Sequence, residues 1–388
     1  MGNRAPVWIF IISAILLSGC WDQIEIEQRA FISVVAIDAT DNPGEVKFTE
    51  QLVNPENIST IAAGGGQGKP FRNLSGTGRS LFEINQEIAK KTSRVLDTTH
   101  LDAIIFSEEI MKQPGAFKDY FDLFFRSKTM RRGIKIAVSS GDAWELLEVE
   151  AEHEKIPGEY IIELLENKED LNVVDLIRIG DIDEKLYSKM SFPMAQIKKK
   201  SDREIDYSEI AIYNGPQERM IGTLKDDEAK GLSFIRGMKN NGAITGTLDN
   251  EEITVEIGSI KSKFTLVNPD PKQMKFALDI KMTASLAEQA GWNDFFKREV
   301  LTELERASKR KVEEMVKSAI KRLQEDFRTD AMGLGEYLHH YHPKIWKKIE
   351  GDWEEGANYF SNSEINLNVK LTIAEPGSIN RTTTPRGE

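Results

Sequence analysis

The chain has almost no cysteine: Cys20 is the only one in 388 residues. An intramolecular disulfide is therefore excluded, and so is a metal cluster built on cysteine. Cationic excess is missing as well. There are 51 Lys and Arg against 63 Asp and Glu, a formal net charge of −12. An acidic chain lacks the surface that neutralises phosphate, which argues against nucleic acid as a partner. It equally lacks a polybasic patch for anionic lipid. The apolar run Val7 to Leu17 is shorter than the roughly 20 residues that a spanning helix needs.

A hydrophobic fraction of 40% and a charged fraction of 29% suit a folded globular protein rather than a disordered or multipass one. The length favours two or three domains over one core. A lone cysteine in an exported chain is an accident, an intermolecular bridge or a modified residue, and its position decides. Arg4 supplies a positive start, Val7 to Leu17 an apolar stretch, and Ser18 and Gly19 the small residues of a cleavage site. Leu17-Ser18-Gly19-Cys20 resembles the lipobox of bacterial lipoproteins. That resemblance implies cleavage between Gly19 and Cys20 and diacylglycerol on the thiol, with or without an N-acyl chain on the new terminus. Two or more acyl chains anchor stably, at about 0.8 kcal/mol per buried methylene. Met1-Gly2 does not continue as a myristoylation site, because Pro6 stands where Ser or Thr is required.

Strand-like runs are expected at Phe31 to Ile37, Val46 to Leu52, Leu101 to Phe106 and Gly133 to Val138. Residues 54–79 are expected to be a long polar loop, broken by Gly64-Gly65-Gly66 and Gly76-Thr77-Gly78. Helices are expected from Ser80, with Leu81, Ile84 and Ile88 on one face, around Phe117 to Phe124, over Asp142 to Val149 and over Gly158 to Leu165. The charge run Lys198 to Arg203 is a linker or a hairpin. Beyond it come strands near Ile210–Tyr213 and Met220–Leu224, a short helix at Asp226–Phe234, and strands at Ile253–Ile257 and Ile260–Val267. Phe276, Leu278, Ile280 and Met282 alternate with Lys275, Asp279, Lys281 and Thr283. The strongest helix spans Asp294 to Phe327, and a last strand runs from Ile365 to Ile373. The expected fold class is α+β, multi-domain with mixed sheets. Residues 1–19 form a signal peptide and 20–200 an α/β region of one unit or two. Residues 201–380 form an α+β domain whose antiparallel-rich sheet packs against one long helix, and 381–388 a frayed tail.

Motifs for chemistry fail one by one. Gly68-Lys69 is followed by Pro70, not Ser or Thr, so no P-loop forms. His153-Glu154 begins like a zinc-protease helix, but position 157 is Pro. His339, His340 and His342 cluster without a fourth donor and read as a solvated helix end. Gly231-Leu232-Ser233-Phe234-Ile235 lacks the last glycine of a nucleophile elbow. Asp181-Ile182-Asp183 has Leu186 where a calcium loop turns on glycine, and Asp226-Asp227 read as helix capping. No catalytic residue, metal site or cofactor is expected beyond the lipid on Cys20. Trp346 and Trp353, seven apart, would share a face on a helix. Two core tryptophans and an exposed partner-docking surface are both open readings.

Several segments in order resemble the Ger(x)C family, the C subunits of nutrient germinant receptors in endospore-forming bacteria. They are Gly19-Cys20-Trp21-Asp22, Ala36-Ile37-Asp38, the Gly78–Thr92 helix and Ile104-Ile105-Phe106-Ser107-Glu108 after His100. Arg126 with Arg131–Val138, Gly141 to Leu147, Ile221-Gly222-Thr223-Leu224 and Gly231 continue the series. A late signature closes it: Asp330-Ala331-Met332-Gly333-Leu334-Gly335, then Pro343, Trp346 and Trp353. Tyr213-Asn214-Gly215-Pro216 departs from the lysine-rich run of the family. The resemblance implies a non-enzymatic subunit, lipid-anchored through Cys20 on the outer face of the spore inner membrane. Its partners would be a multipass transporter-like subunit and a second membrane subunit bearing a soluble domain. A lipid-anchored solute-binding protein of a transporter is the alternative, and it would need two similar lobes around a cleft.

Overall fold

The computed structural model describes residues 25–54, 57, 68–127, 130–167, 174, 176–238, 242–248, 251–289 and 297–375. Gly19, Cys20 and the tail after Glu375 lie outside them. The described chain builds two sheets.

The first sheet has nine strands: β1 (Arg29–Ala39), β2 (Val46–Val53), β3 (Phe71–Gly78), β4 (Val95–Asp97), β5 (Ala103–Ser107), β6 (Lys135–Ser139), β7 (Phe192–Lys199), β8 (Ile205–Asn214) and β9 (Arg219–Leu224). Their order is β3-β2-β1-β5-β6-β7-β8-β9, with β4 beside the start of β1. The middle strands β1, β5, β6 and β7 run parallel. Antiparallel pairs close both edges. Parallel strands are covered on both faces, so they read as continuous apolar runs such as Val34-Val35-Ala36-Ile37 rather than alternating ones. Ile32, Val35, Ile37, Ile104 and Phe106 meet helices Leu81–Ala89, Ala116–Arg126 and Ile179–Tyr187. Val34, Ala36, Ala103 and Ile105 meet helices Ala143–Leu146 and Pro157–Glu166 on the other face. Asp38, buried at the end of β1, accepts the Ala143 and Trp144 N–H groups at 2.5 and 3.1 Å and so caps the first of these two.

The second sheet has the order β10 (Ala243–Leu248), β11 (Glu251–Asn268), β12 (Lys275–Gln289), β13 (Glu364–Glu375). Only β12 and β13 are parallel, and the crossover between them carries the long helix Arg298–Lys321. Leu304, Val312, Met315 and Ala319 of that helix bury against Phe276, Leu278, Ile280, Met282, Val369 and Leu371. Lys261, Lys281, Lys370 and Thr372 stay exposed on the far side. The helix continues through Arg322–Phe327 with wider, π-type hydrogen bonding and stops at Arg328, whose φ is 53°. The α+β class and the sheet-on-helix arrangement thus stand as expected.

One local expectation is corrected. Residues 71–78, assigned to a polar loop, form strand β3, because β2 supplies a full antiparallel ladder from Phe71 to Gly78. The segment Ile179–Tyr187, in which a calcium loop was already excluded by Leu186, is a helix whose Asp181 side chain accepts the Arg178 N–H at 3.0 Å. The charge run Lys198–Arg203 turns β7 into β8, with Lys200 N–H on Glu204 O at 2.9 Å. Strands β8 and β9 follow that turn and complete the first sheet. Their Ile210, Ile212 and Leu224 side chains enter the core of the second. The sheets differ in strand number, order and covering, so the chain is not a pair of similar lobes.

Candidate functional site

The two units meet at a cleft of about 500 Å³. One wall is the segment Tyr187–Ser191, between helix Ile179–Tyr187 and strand β7. The other is the chain from Asp330 to Glu355, which holds helices Leu334–Tyr341 and Pro343–Ile349 and a 3-10 turn at Glu350–Asp352.

At its base lies a carboxylate knot. Asp330 is 4% exposed. One carboxylate oxygen accepts Gly333 N–H at 2.9 Å and Leu334 N–H at 3.1 Å. The other accepts Gly335 N–H at 2.5 Å and the Trp353 indole N–H at 2.9 Å. A helix start leaves N–H groups without partners inside the helix, and this single side chain takes three of them. The glycines of the signature follow from the same geometry. Gly333 has φ 92°, a left-handed conformation. A Cβ on Gly335 would stand 3.0 Å from both Trp346 and Trp353, so only glycine lets the two indoles close over the turn. Burial pushes the Asp330 carboxyl up, against the pull of its donors.

Glu354 is the second member. One of its oxygens accepts the Asp330 N–H at 3.0 Å, and the other bonds the Ser191 hydroxyl. Ser191 Oγ in turn accepts Gly215 N–H at 2.9 Å. This chain ties the knot to the starting end of β7 and to the β8–β9 turn. Burial, and then the neighbouring charge of Asp330, push Glu354 up to about 8. Asn214 Nδ2 on Thr329 Oγ1 at 2.6 Å and Lys185 on Glu336 add two more cross-links.

Of the two readings left open for the tryptophans, burial agrees with the core one: Trp346 is 7% and Trp353 3% exposed. They do not share a helix, since the helix ends at Ile349. They nevertheless meet edge to face at 5.9 Å, and Trp353 also packs on Phe276 and Phe360. Their edges line the cleft. His339 and His340 sit exposed in the last turn of helix Leu334–Tyr341, and His342 Nε2 lies 3.2 Å from Tyr337 Oη. Among the described residues, no group of three or more His, Asp or Glu is placed to hold a metal. Nor is any helix there long and apolar enough to cross a membrane. Asp227 pairs with Lys311 at 2.8 Å. Glu354 and Ser191 were not singled out in the sequence. The available signal was Asp330 placed three residues before Gly333 at a helix start, the spacing of an N-cap.

This architecture recurs in a solved protein. The crystal structure of the GerBC protein matches with a TM-score of 0.59 at 21% identity, over 88% of this chain and 96% of that one. That likeness establishes the fold. Sequence carries the assignment further. Residues 22–199 match the spore germination protein N-terminal domain, and residues 208–377 match the spore germination B3/GerAC-like C-terminal domain. The chain belongs to the Ger(x)C family of spore germination proteins, and its role lies in germination. Spore germination protein YndF of Bacillus subtilis (strain 168) is 27% identical, covering 97% of this chain and 98% of that protein. Spore germination protein B3 of the same organism is 26% identical, covering 98% and 99%.

Proposed function

We propose that this protein is the lipid-anchored subunit of a nutrient germinant receptor and acts by assembly rather than catalysis. The observation that carries the reading is one of position. The sole cysteine stands two residues ahead of the point where the family match begins, directly behind a short apolar leader. A diacylglycerol on Cys20, with an N-acyl chain beside it, would hold the acidic ectodomain on the outer face of the spore inner membrane. Its partners there would be a multipass transporter-like subunit and a second membrane subunit with a soluble domain. The buried carboxylates at the cleft support a non-catalytic reading. Asp330 spends both oxygens on four N–H donors and Glu354 on Ser191 and a backbone N–H, so both already serve the fold.

The test is Cys20→Ala in spores. The variant is expected to leave the membrane fraction and to impair the response to the receptor's nutrient. Mass spectrometry of the native amino terminus should find an acylated Cys20 as the first residue. Membrane retention of the variant with a full nutrient response would refute the proposal.

A further inference from the structure

We infer that the cleft between Tyr187 and the tryptophan pair is a docking site for a basic segment of a partner protein, with an Arg or Lys side chain entering it. The inference rests on the assembly role proposed above and names the surface that would perform it.

Three features of the cleft converge. Tyr187 ends its helix at the rim with 92% of its surface exposed. Tyrosine gains most where its ring is covered and its hydroxyl stays wet, and it is enriched in the buried centres of protein interfaces. The walls behind it are aromatic, with His339 stacked on Trp346 at 6.3 Å and 20°. With Trp346 and Trp353 buried, the open faces at this wall are those of Tyr187 and His339, and an aromatic face takes a guanidinium or an ammonium. The charge at the mouth is acidic. Glu350 and Glu355 are exposed there and take no ion pair among the described residues. Lys189 is the cation among the lining residues, whereas Glu336 is already paired with Lys185 and Arg236. An exposed carboxylate at the same mouth as an aromatic face offers a basic side chain both a charged partner and a flat surface. An acidic segment would be repelled by the same groups.

The test uses full-length chain in spores. The double reversal Glu350→Lys, Glu355→Lys and the separate variant Tyr187→Ser are compared with wild type. The readout is recovery of the two co-expressed membrane subunits when this chain is pulled from solubilised spore membranes. The double reversal is expected to lower recovery about tenfold or more and Tyr187→Ser several-fold. All three side chains are exposed, so thermal unfolding of the purified full-length variants should match wild type. Reversals on the wet face of the second sheet, Asp279→Lys with Glu364→Lys, should leave recovery unchanged. Undiminished recovery with the double reversal and with Tyr187→Ser would overturn the inference alone. An equal loss from the sheet-face reversals would also overturn it, since the effect would then be overall charge. Wild-type chain that recovers neither membrane subunit would overturn the assembly role with it.

Discussion

Replacing Asp330 by asparagine keeps the shape of the side chain and removes one acceptor from a group that serves four donors. In the native knot each oxygen takes two N–H groups. An amide offers one oxygen and one NH2, so either orientation points donors at donors. Two buried N–H groups then lose their partner, at about 1–3 kcal/mol each. Part of this is offset because a buried charge is no longer present. The net loss should be about 2–4 kcal/mol, a large share of the stability of an ordinary domain. Urea unfolding followed by tryptophan fluorescence is the assay, because the Trp353 indole N–H is itself one of the four donors to this side chain. The denaturation midpoint should fall with little change in slope. The emission of the folded variant should also shift as Trp353 loosens. A loss under about 1 kcal/mol would refute the claim that this carboxylate holds the turn.

Glu354 rises from an ordinary 4.5 to about 8 in the folded protein. The folded state therefore keeps a proton that the unfolded chain releases between those values, and stability should fall as pH rises through that window. Asp38, raised to about 7, and Glu50, raised to about 8, both by burial, act in the same direction. Glu354→Gln should flatten the dependence, which denaturation midpoints across the window would measure; an unchanged slope would refute Glu354 as a contributor. Glu50 is 2% exposed, and one of its oxygens has no hydrogen-bond partner among the described residues. Glu50→Leu should stabilise by about 1–2 kcal/mol above pH 8, and destabilisation there would show an unseen partner. A Cβ on Gly231 would stand 2.2 Å from the Met315 carbonyl oxygen, where helix Asp226–Ile235 crosses the long helix. Gly231→Ala should lower stability by about 1–3 kcal/mol despite its better helix propensity. Thermal melts would read this, and a stabilised variant would mean the helices can part freely.

The second sheet was legible in the sequence because it has one wet face. Phe276, Leu278, Ile280 and Met282 alternate with charged residues, so the period identifies the strand and its buried side together. The long helix showed its stripe for the same reason. The first sheet was harder. Its middle strands are buried on both faces and carry no alternation, so their pairing could not be read. Strand β3 stayed hidden because Phe71-Arg72-Asn73-Leu74-Ser75-Gly76-Thr77-Gly78 is polar and glycine-containing, and β2 supplies what its own propensity lacks. At the cleft, the seven-residue spacing placed Trp346 and Trp353 on one face of a helix, and they share no helix. The helix stops between them, and a tight turn brings the second indole back. Glu354 carried no periodic or spacing signal. Its partners Ser191 and Gly215 are far away along the chain, and only the folded contact gives it meaning.

Strands β8 and β9 belong by hydrogen bonding to one sheet, yet send Ile210, Ile212 and Leu224 into the core of the other, while Ala211, Tyr213 and Met220 stay in the core of their own. A truncation at residue 200, the natural place to cut by eye, would strip two strands from the N-terminal fragment and leave β7 as a raw, sticky border prone to aggregate. The C-terminal fragment would carry off an orphaned hairpin. Exchanging tail halves between relatives would meet the same obstacle, because each donor tail would bring its own hairpin to a sheet that evolved with another. Joining at Lys225 would keep Ile205–Leu224 with the strands it pairs, but workable chimeras would still have to match Ile210, Ile212 and Leu224 to the core they enter in the other half.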